Sequence, residues 1–198
     1  KIPNTIPRVA NDLNKYVIAL VKEMQKGWLP SENITEIEYN NIKQNFKDYP
    51  DYLVGYVAYQ LSFGSLWFGS YRKDKIGKRN YSLEAFNNIK AQQNVIQGIA
   101  LYNLSYDEVP IKPNSIIYCD IPYKDTTVYI TTTKGFDYDK FYNWCIEKHK
   151  EGHKVFISEY NMPEDKFKSI WEKKITSSLT VNKVDNKKGV EKLCVVKE

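Results

Sequence analysis

The sequence lacks several features that would place it in a specialised class of protein. No apolar run approaches the roughly 18–20 residues that a helix needs to cross a bilayer, so we predict that it is not a membrane protein. It holds only three cysteines, an odd number with no closely spaced pair, which argues against a disulfide framework and for a reducing compartment. The first 20 residues already carry charges and an asparagine-rich turn, which a signal peptide would not.

Length, composition and charge are those of an ordinary globular protein. The chain has 198 residues, enough for one domain with an insertion or for two small domains. Hydrophobic residues make up 42% and charged residues 27%, which excludes wholesale disorder. The net charge of +5 is mild, so the distribution of the charge matters more than its size.

The first hundred residues have mostly helical patterns. Apolar spacing predicts a helix over 15–26 and further helix, with an interruption, over 33–62. A third helix is predicted over 82–97, where Ser82 is a suitable N-cap. This half of the chain is therefore expected to be largely helical.

From residue 104 the pattern changes to alternating strands and helices. The predicted elements are a fully buried strand over 115–120, a helix from Asp137 that stops at Gly152, a strand over 154–160, a helix over 163–173, and a hairpin of strands 177–184 and 190–197. This alternation predicts a sheet with helices packed on it, and hence an α/β protein.

Residues 63–81, here called the basic stretch, combine glycines, aromatic rings and positive charge. Five basic residues against one acid give the stretch a net charge of +4, nearly the whole net charge of the chain. Its basic residues are Arg72, Lys73, Lys75, Lys78 and Arg79. Such a stretch is either a solvated loop or a surface that holds nucleic-acid phosphates, and taken alone the solvated loop is the better interpretation.

Polar residues directly follow the strand predicted over 115–120. Cys119-Asp120-Ile121-Pro122-Tyr123 stands at its carboxyl end, where ligands bind in open α/β sheets. By itself an Asp-x-Pro-Tyr sequence is more often a simple turn. The residues around it favour a functional site over a simple turn.

Residues 114–129 resemble the region around the D-P-P-Y motif of Dam-type DNA adenine methyltransferases. Phe156-Ile-Ser-Glu-Tyr-Asn161 is similar to the next core strand of that family, and residues 8–20 are similar to its second strand and the following helix. The hairpin predicted over 177–197 resembles the end of the methyltransferase sheet. The resemblance covers nearly the whole chain, in the family's own order.

This resemblance implies a fold and a domain organisation. The fold would be α/β, with a Rossmann-like S-adenosylmethionine-dependent methyltransferase core, a mixed sheet ending in a C-terminal hairpin, and a mostly helical target-recognition insertion. The core would comprise residues 1–32 and 101–198, and the DNA-binding insertion residues 33–100. Since the basic stretch falls in this insertion, the resemblance favours DNA contact for its five basic residues.

The implied activity is site-specific methyl transfer from S-adenosylmethionine to the exocyclic amino nitrogen of adenine, after the base has flipped out of the duplex. Asp120, Ile121, Pro122 and Tyr123 would be the catalytic residues. The Asp120 carboxylate and the Ile121 carbonyl would each accept one amino hydrogen, and Tyr123 would stack on the base. Asp12 would bond the ribose hydroxyls of the cofactor, with Asp120 as a second polar anchor.

The resemblance also implies partners and a compartment. Double-stranded DNA is the expected partner, a cognate restriction endonuclease is the further partner of a restriction-modification system, and no membrane is involved. The protein would be cytoplasmic and encoded by a bacterium or a phage. No metal is expected, because the spaced residues Cys145, His149 and His153 are interrupted by the helix end at Gly152.

Two positions depart from the family pattern. No aromatic-Gly-x-Gly loop precedes Asp12, and the chain begins with Lys1, so we expect its cofactor half to be N-terminally incomplete. Ile121 stands where the family has a proline, which keeps the carbonyl but removes the fixed φ. A non-catalytic DNA-binding remnant of such an enzyme is therefore the alternative interpretation, and an RNA or protein amino-methyltransferase is a third.

Overall fold

The structure, a computed structural model, consists of two compact units, Lys1–Val109 and Pro110–Glu198, and each is described by itself. The described residues are 5–74, 76–123, 135–176 and 188–198. None of the helices in this part of the chain has the length and apolar character needed to cross a membrane.

The first unit combines two parallel strands with a group of helices. Its elements are β1 (Arg8–Asn11), α1 (Lys15–Gln25), α2 (Glu36–Gln44), α3 (Asp51–Gln60), α4 (Tyr81–Ile96) and β2 (Ile99–Tyr102). The mostly helical prediction for this region is confirmed. The N-cap of α4 is Asn80 rather than the predicted Ser82, whose hydroxyl instead accepts a hydrogen bond from the Ile34 N–H at 2.8 Å.

Helix α1 packs against α3, with Gly55 of α3 next to the backbone of Tyr16 in α1. A Cβ atom added at Gly55 would lie 2.3 Å from the carbonyl oxygen of Tyr16, well inside van der Waals contact. Only glycine therefore allows the two helices to approach this closely. The apolar core around this contact includes the fully or almost fully buried residues Tyr39, Val54, Tyr56, Val57, Leu61 and Ile89.

The contacts of the chain divide it after Val109. The apolar face of α1 contributes to this division, because Leu20 is buried in one core with the helices of residues 33–100. The functional partition into a catalytic core of residues 1–32 and 101–198 and a DNA-binding insertion at 33–100 stays a prediction.

The second unit is a four-stranded mixed sheet with one described helix. Its elements are β3 (Ile116–Asp120), α5 (Tyr138–Lys150), β4 (Lys154–Glu159), β5 (Phe167–Thr176) and β6 (Lys188–Val196). The strand order is β3-β4-β6-β5, in which β3 and β4 run parallel and β6 runs antiparallel to both of its neighbours. The prediction of an α/β protein with a mixed sheet is thereby confirmed.

Strand β3 was predicted to be fully buried, and this is wrong. Ile116 is 72% exposed and Tyr118 is 60% exposed, Ile117 and Cys119 are only partly buried, and Asp120 is exposed. Among the described residues β3 pairs with β4 alone, so it is an edge strand. An apolar sequence therefore marks the strand correctly but not its burial.

The prediction of a helix over 163–173 is also wrong. A single turn follows Pro163, whose carbonyl oxygen accepts a hydrogen bond from the Phe167 N–H at 3.0 Å, and β5 then begins. A β-bulge between Ser169 and Trp171 interrupts the alternation of side chains along β5. The bulge gives the strand an apolar spacing that resembles that of a helix.

The predicted C-terminal hairpin is present, but its first strand lies earlier in the chain. β5 and β6 pair in antiparallel fashion, from Phe167 opposite Val196 to Thr176 opposite Lys188. The strand predicted over 190–197 corresponds to most of β6. The strand predicted over 177–184 lies outside the described residues.

Candidate functional site

Asp120 ends β3 at the edge of the sheet where β4 also ends. The two strands run parallel with Asp120 opposite Ser158, so their carboxyl ends lie side by side. The segments that follow them, Ile121–Tyr123 and Tyr160, therefore leave the sheet at the same edge. Here the structure brings together side chains from three strands and one helix.

Burial, a neighbouring charge and a hydrogen bond act on the Asp120 carboxyl group. Loss of surrounding water raises its pKa, and the negative charge of Glu191 on β6 raises it further. A hydrogen bond from the Tyr123 hydroxyl acts in the opposite direction but is the smallest of the three effects. The carboxyl group of Asp120 consequently holds its proton to a higher pH than a free aspartate does.

The Tyr123 hydroxyl lies among oxygen atoms from three strands. It is hydrogen-bonded to Asp120 at the end of β3 and to Ser158 on β4, and it lies 3.4 Å from Oε1 of Glu191 on β6. Burial and the two nearby carboxylates raise the pKa of this hydroxyl. The phenol therefore keeps its proton at neutral pH and acts as a hydrogen-bond donor.

Two further tyrosines complete this group. The rings of Tyr123 and Tyr160 meet edge to face, with centroids 4.6 Å apart and planes at 84°. The Tyr118 hydroxyl donates to Oγ of Ser158 at 3.0 Å. We refer to the whole group as the strand-end cluster, which consists of Tyr118, Asp120, Tyr123, Ser158, Tyr160 and Glu191.

The backbone between Asp120 and Tyr123 is held at two consecutive residues. The side chain of Ile121 is buried, with only 9% of its surface exposed. The carbonyl oxygen of Pro122 accepts a hydrogen bond from the Tyr138 hydroxyl at 2.8 Å. Because Tyr138 opens α5, this bond ties the segment after β3 to the next helix in the chain.

Sequence reasoning found Asp120 and Tyr123 but missed the other members of the cluster. Ser158 and Tyr160 stand at the end of a predicted strand, so the rule that carboxyl ends of parallel strands meet could have found them. Glu191 depends on the register of β6 against β4, which no local pattern encodes. No sequence pattern indicated Tyr138, apart from its position directly after the predicted N-cap Asp137.

Asp12 lies in the first unit, directly after β1. Its Oδ1 accepts a hydrogen bond from the Asn14 N–H at 2.7 Å. Loss of water raises the pKa of the Asp12 carboxyl, and that hydrogen bond opposes the rise. Among the described residues nothing bonds its second carboxylate oxygen, which is therefore open to a ligand hydroxyl.

Four of the five basic residues predicted to contact DNA are described, and they lie in the first unit; Lys75 lies outside the described residues. Two of the four are paired with carboxylates. Nζ of Lys73 lies 2.8 Å from Glu36, and Arg79 donates to both carboxylate oxygens of Glu84 at 2.8 and 2.9 Å. These pairs reduce the positive field of the basic stretch.

The basic stretch is a structured loop. The guanidinium groups of Arg72 and Arg79 lie 4.2 and 4.8 Å from the centroid of the Tyr81 ring. The Asp74 carboxylate accepts hydrogen bonds from three backbone N–H groups, those of Ile76, Lys78 and Arg79. The described cations of the loop, Arg72, Lys73, Lys78 and Arg79, are therefore presented from a backbone that Asp74 holds in place.

The aromatic rings of the stretch divide between core and surface. Trp67 packs against Tyr16 with centroids 4.9 Å apart, and Phe68 is buried in the helical core. Phe63 is 55% exposed. Most of the aromatic signal in this region therefore reflects core packing.

Cys145 and His153, two of the three residues considered as metal ligands, make contacts within the protein. Cys145 is buried on α5, which ends before Gly152 as predicted. Nδ1 of His153 accepts a hydrogen bond from the Ser115 N–H at 3.1 Å. No cluster of three or more His, Cys, Asp or Glu residues that could hold a metal ion occurs within the described ranges.

The strand-end cluster offers hydrogen-bond acceptors beside aromatic rings. Such a combination suits a flat ligand with an amino group, because the oxygen atoms can bind the amino hydrogens while a ring lies on its face. Comparison with protein-family models gives no match, and comparison with curated proteins gives none either. Our proposal for the function therefore rests on the chemistry of the strand-end cluster.

Proposed function

We propose that the chain belongs to a site-specific DNA adenine methyltransferase, which transfers a methyl group from S-adenosylmethionine to the exocyclic amino nitrogen of adenine in double-stranded DNA. One observation carries the proposal, namely that Asp120 and Tyr123 lie together at the carboxyl end of a parallel strand pair. The mixed sheet that ends in a C-terminal hairpin supports it, since the family resemblance implies the same arrangement.

The chemical problem is the weak nucleophilicity of the adenine amino nitrogen, whose lone pair is delocalised into the ring. The Asp120 carboxylate and the Ile121 carbonyl oxygen can each accept one of its hydrogens. Both bonds favour a pyramidal nitrogen with a localised lone pair. They strengthen as positive charge develops on that nitrogen, so they lower the barrier to methyl transfer, and the methylated nitrogen then releases one of its two protons to the Asp120 carboxylate or to water.

The target base must leave the duplex stack before its amino group can reach Asp120. Tyr123 provides a ring on which the flipped base can stack, a contact worth roughly 1–3 kcal/mol. Its edge-to-face contact with Tyr160 and the bonds of its hydroxyl fix the orientation of that ring.

S-adenosylmethionine supplies, when bound, a methyl group attached to a positively charged sulfur. Asp12 would hold the ribose hydroxyls, since one of its carboxylate oxygens is not used by the described residues. The basic stretch would hold DNA phosphates, and the enzyme would act in the cytoplasm. A cognate restriction endonuclease is the further partner that the proposal allows.

The proposal can be tested without knowing the recognition sequence. The full-length protein that contains this chain is incubated with labelled S-adenosylmethionine and genomic DNA that lacks methylated adenine, and the DNA is then digested to nucleosides. We expect label in N6-methyladenine. The Asp120→Ala variant should give none, while Asp165→Ala, which changes an exposed aspartate in the turn before β5, should match the unaltered chain.

Other outcomes would identify the alternatives. DNA binding without any methyl transfer would contradict the proposal and favour a non-catalytic DNA-binding protein. Label in RNA or protein, and none in DNA, would move the substrate to another class. Label in DNA that is equal for the unaltered chain and Asp120→Ala would exclude this motif as the catalytic one.

A further inference from the structure

The hydrogen bond from the Tyr138 hydroxyl to the Pro122 carbonyl joins two parts of the second unit that are 16 residues apart in sequence. Its length of 2.8 Å is that of a well-formed bond. Pro122 precedes Tyr123, so the bonded carbonyl belongs to the peptide plane that carries the Tyr123 N–H. Fixing this plane fixes the N–Cα bond of Tyr123, and so restrains the point from which its side chain leaves the backbone.

The donor of this bond is itself firmly placed. Tyr138 is the first residue of α5, and the N-cap Asp137 accepts a hydrogen bond from the Lys140 N–H at 2.9 Å. The Tyr138 ring contacts Phe136 edge to face, with centroids 5.0 Å apart. The next turn of α5 is anchored by Phe141, which is 1% exposed. The hydroxyl is therefore presented from an ordered helix start.

The segment after β3 has a particular need for such an anchor. Ile121 has a free φ, whereas a proline at this position would fix it. Burial of the Ile121 side chain restrains one end of the segment, but it does not orient the peptide plane that follows Pro122. The Tyr138 hydroxyl acts at this second point.

We propose that Tyr138 is a positioning residue, whose hydroxyl holds the Pro122 carbonyl and thereby sets the relative placement of Asp120 and Tyr123. The inference rests on the proposed function only for the chemistry that the segment serves.

The chain offers a matched pair of substitutions. Tyr138→Phe removes the hydroxyl and keeps the ring. Tyr142→Phe makes the same change one turn later on α5, where the hydroxyl is buried and has no hydrogen-bond partner among the described residues. Only the first variant should affect the segment after β3.

The first measurement does not depend on activity. Hydrogen exchange of the Tyr123 amide is followed by NMR in the unaltered chain and in both variants. Without the bond to the Pro122 carbonyl the segment after β3 should open more readily, so exchange of the Tyr123 amide should accelerate about tenfold in Tyr138→Phe and stay unchanged in Tyr142→Phe. Equal exchange in all three proteins, or equal acceleration in both variants, would overturn the proposal.

The second measurement concerns methyl transfer. Tyr138→Phe should lower kcat about tenfold with little change in the KM for DNA, because misplacement of Asp120 affects the transition state more than the binding of DNA. Tyr142→Phe should leave both constants unchanged. A KM effect alone, or an equal loss of kcat in both variants, would contradict the positioning role.

The two measurements separate the inference from the proposed function. If the unaltered full-length protein transfers no methyl group, the proposed function fails, and the amide exchange still decides whether Tyr138 orders the segment. If methyl transfer occurs and the Tyr123 exchange is insensitive to Tyr138→Phe, the function stands and the positioning role fails.

Discussion

At Asp120 the proposed chemistry requires the ionised carboxylate, whereas the stability of the fold favours the protonated form. Its pKa is raised in the folded state, so the folded protein binds this proton more tightly than the unfolded chain, whose value is near 3.8. The contribution of Asp120 to stability therefore rises as the pH falls through the raised pKa, and the ionised group disfavours folding at neutral pH. The local structure tolerates this charge because Tyr123 donates a hydrogen bond to it.

We predict that Asp120→Asn abolishes methyl transfer and leaves the free energy of unfolding at pH 7 unchanged or higher. The amide keeps the shape of the carboxylate, removes the charge that Glu191 and burial disfavour, and loses an acceptor for the amino hydrogens. Thermal unfolding and label transfer measure the two effects, with Asp165→Asn as the control. A clear loss of stability would show that the negative charge of Asp120 stabilises the fold, contrary to this prediction.

Glu191 provides a second test at the same scale. Methyl transfer should decline on acidification as Asp120 becomes protonated, with a midpoint above the ordinary aspartate value of 3.8. We expect Glu191→Gln to shift this midpoint to lower pH, because the nearby negative charge that raises the Asp120 pKa is removed. The rate is measured against pH, with Glu164→Gln on the exposed turn before β5 as the control. Identical profiles would remove Glu191 from the electrostatics of the site.

At the scale of helices and strands, the sequence predicts most elements because caps and apolar spacing act locally. Asn14 and Asp137 cap α1 and α5 within a few residues of the predicted starts. The failures have non-local causes. A bulge hides the alternation of β5, and the exposure of β3 depends on its place at the edge of the sheet. Pairing register is equally non-local, which is why Glu191 escaped notice.

The α1–α3 contact gives a prediction for these elements. Gly55→Ala should lower the free energy of unfolding by about 1–3 kcal/mol, although alanine favours helices, because the added Cβ would collide with the Tyr16 carbonyl oxygen. Urea denaturation measures the change. Gly69→Ala is the control, since a Cβ there would meet its nearest atom at 3.5 Å, an ordinary contact. Equal stability of both variants would mean that the helices separate easily at this point.

At the scale of the whole molecule, the net charge gives little information until its pairing is known. The basic stretch carries most of the excess charge in sequence, yet Lys73 and Arg79 are paired with Glu36 and Glu84. Local patterns indicated where the cations stand, and only the fold shows which of them have carboxylate partners. The same holds for the candidate site, where two residues were predicted and their neighbours came from distant strands.

DNA binding should therefore depend unequally on the basic residues. In Arg72→Gln/Lys78→Gln, the duplex affinity should fall and the slope of log affinity against log salt should decrease by about 1.8, since each phosphate contact contributes about 0.9. These two side chains have no ion pair among the described residues. The double variant Lys73→Gln/Arg79→Gln should change the slope less, because Lys73 and Arg79 are already paired with carboxylates in the unaltered chain.

The control is Lys22→Gln/Lys90→Gln, which alters exposed lysines on α1 and α4. Fluorescence anisotropy with a labelled duplex, between about 50 and 200 mM salt, gives the slopes. If all three variants behave alike, the basic stretch is not the surface that holds DNA.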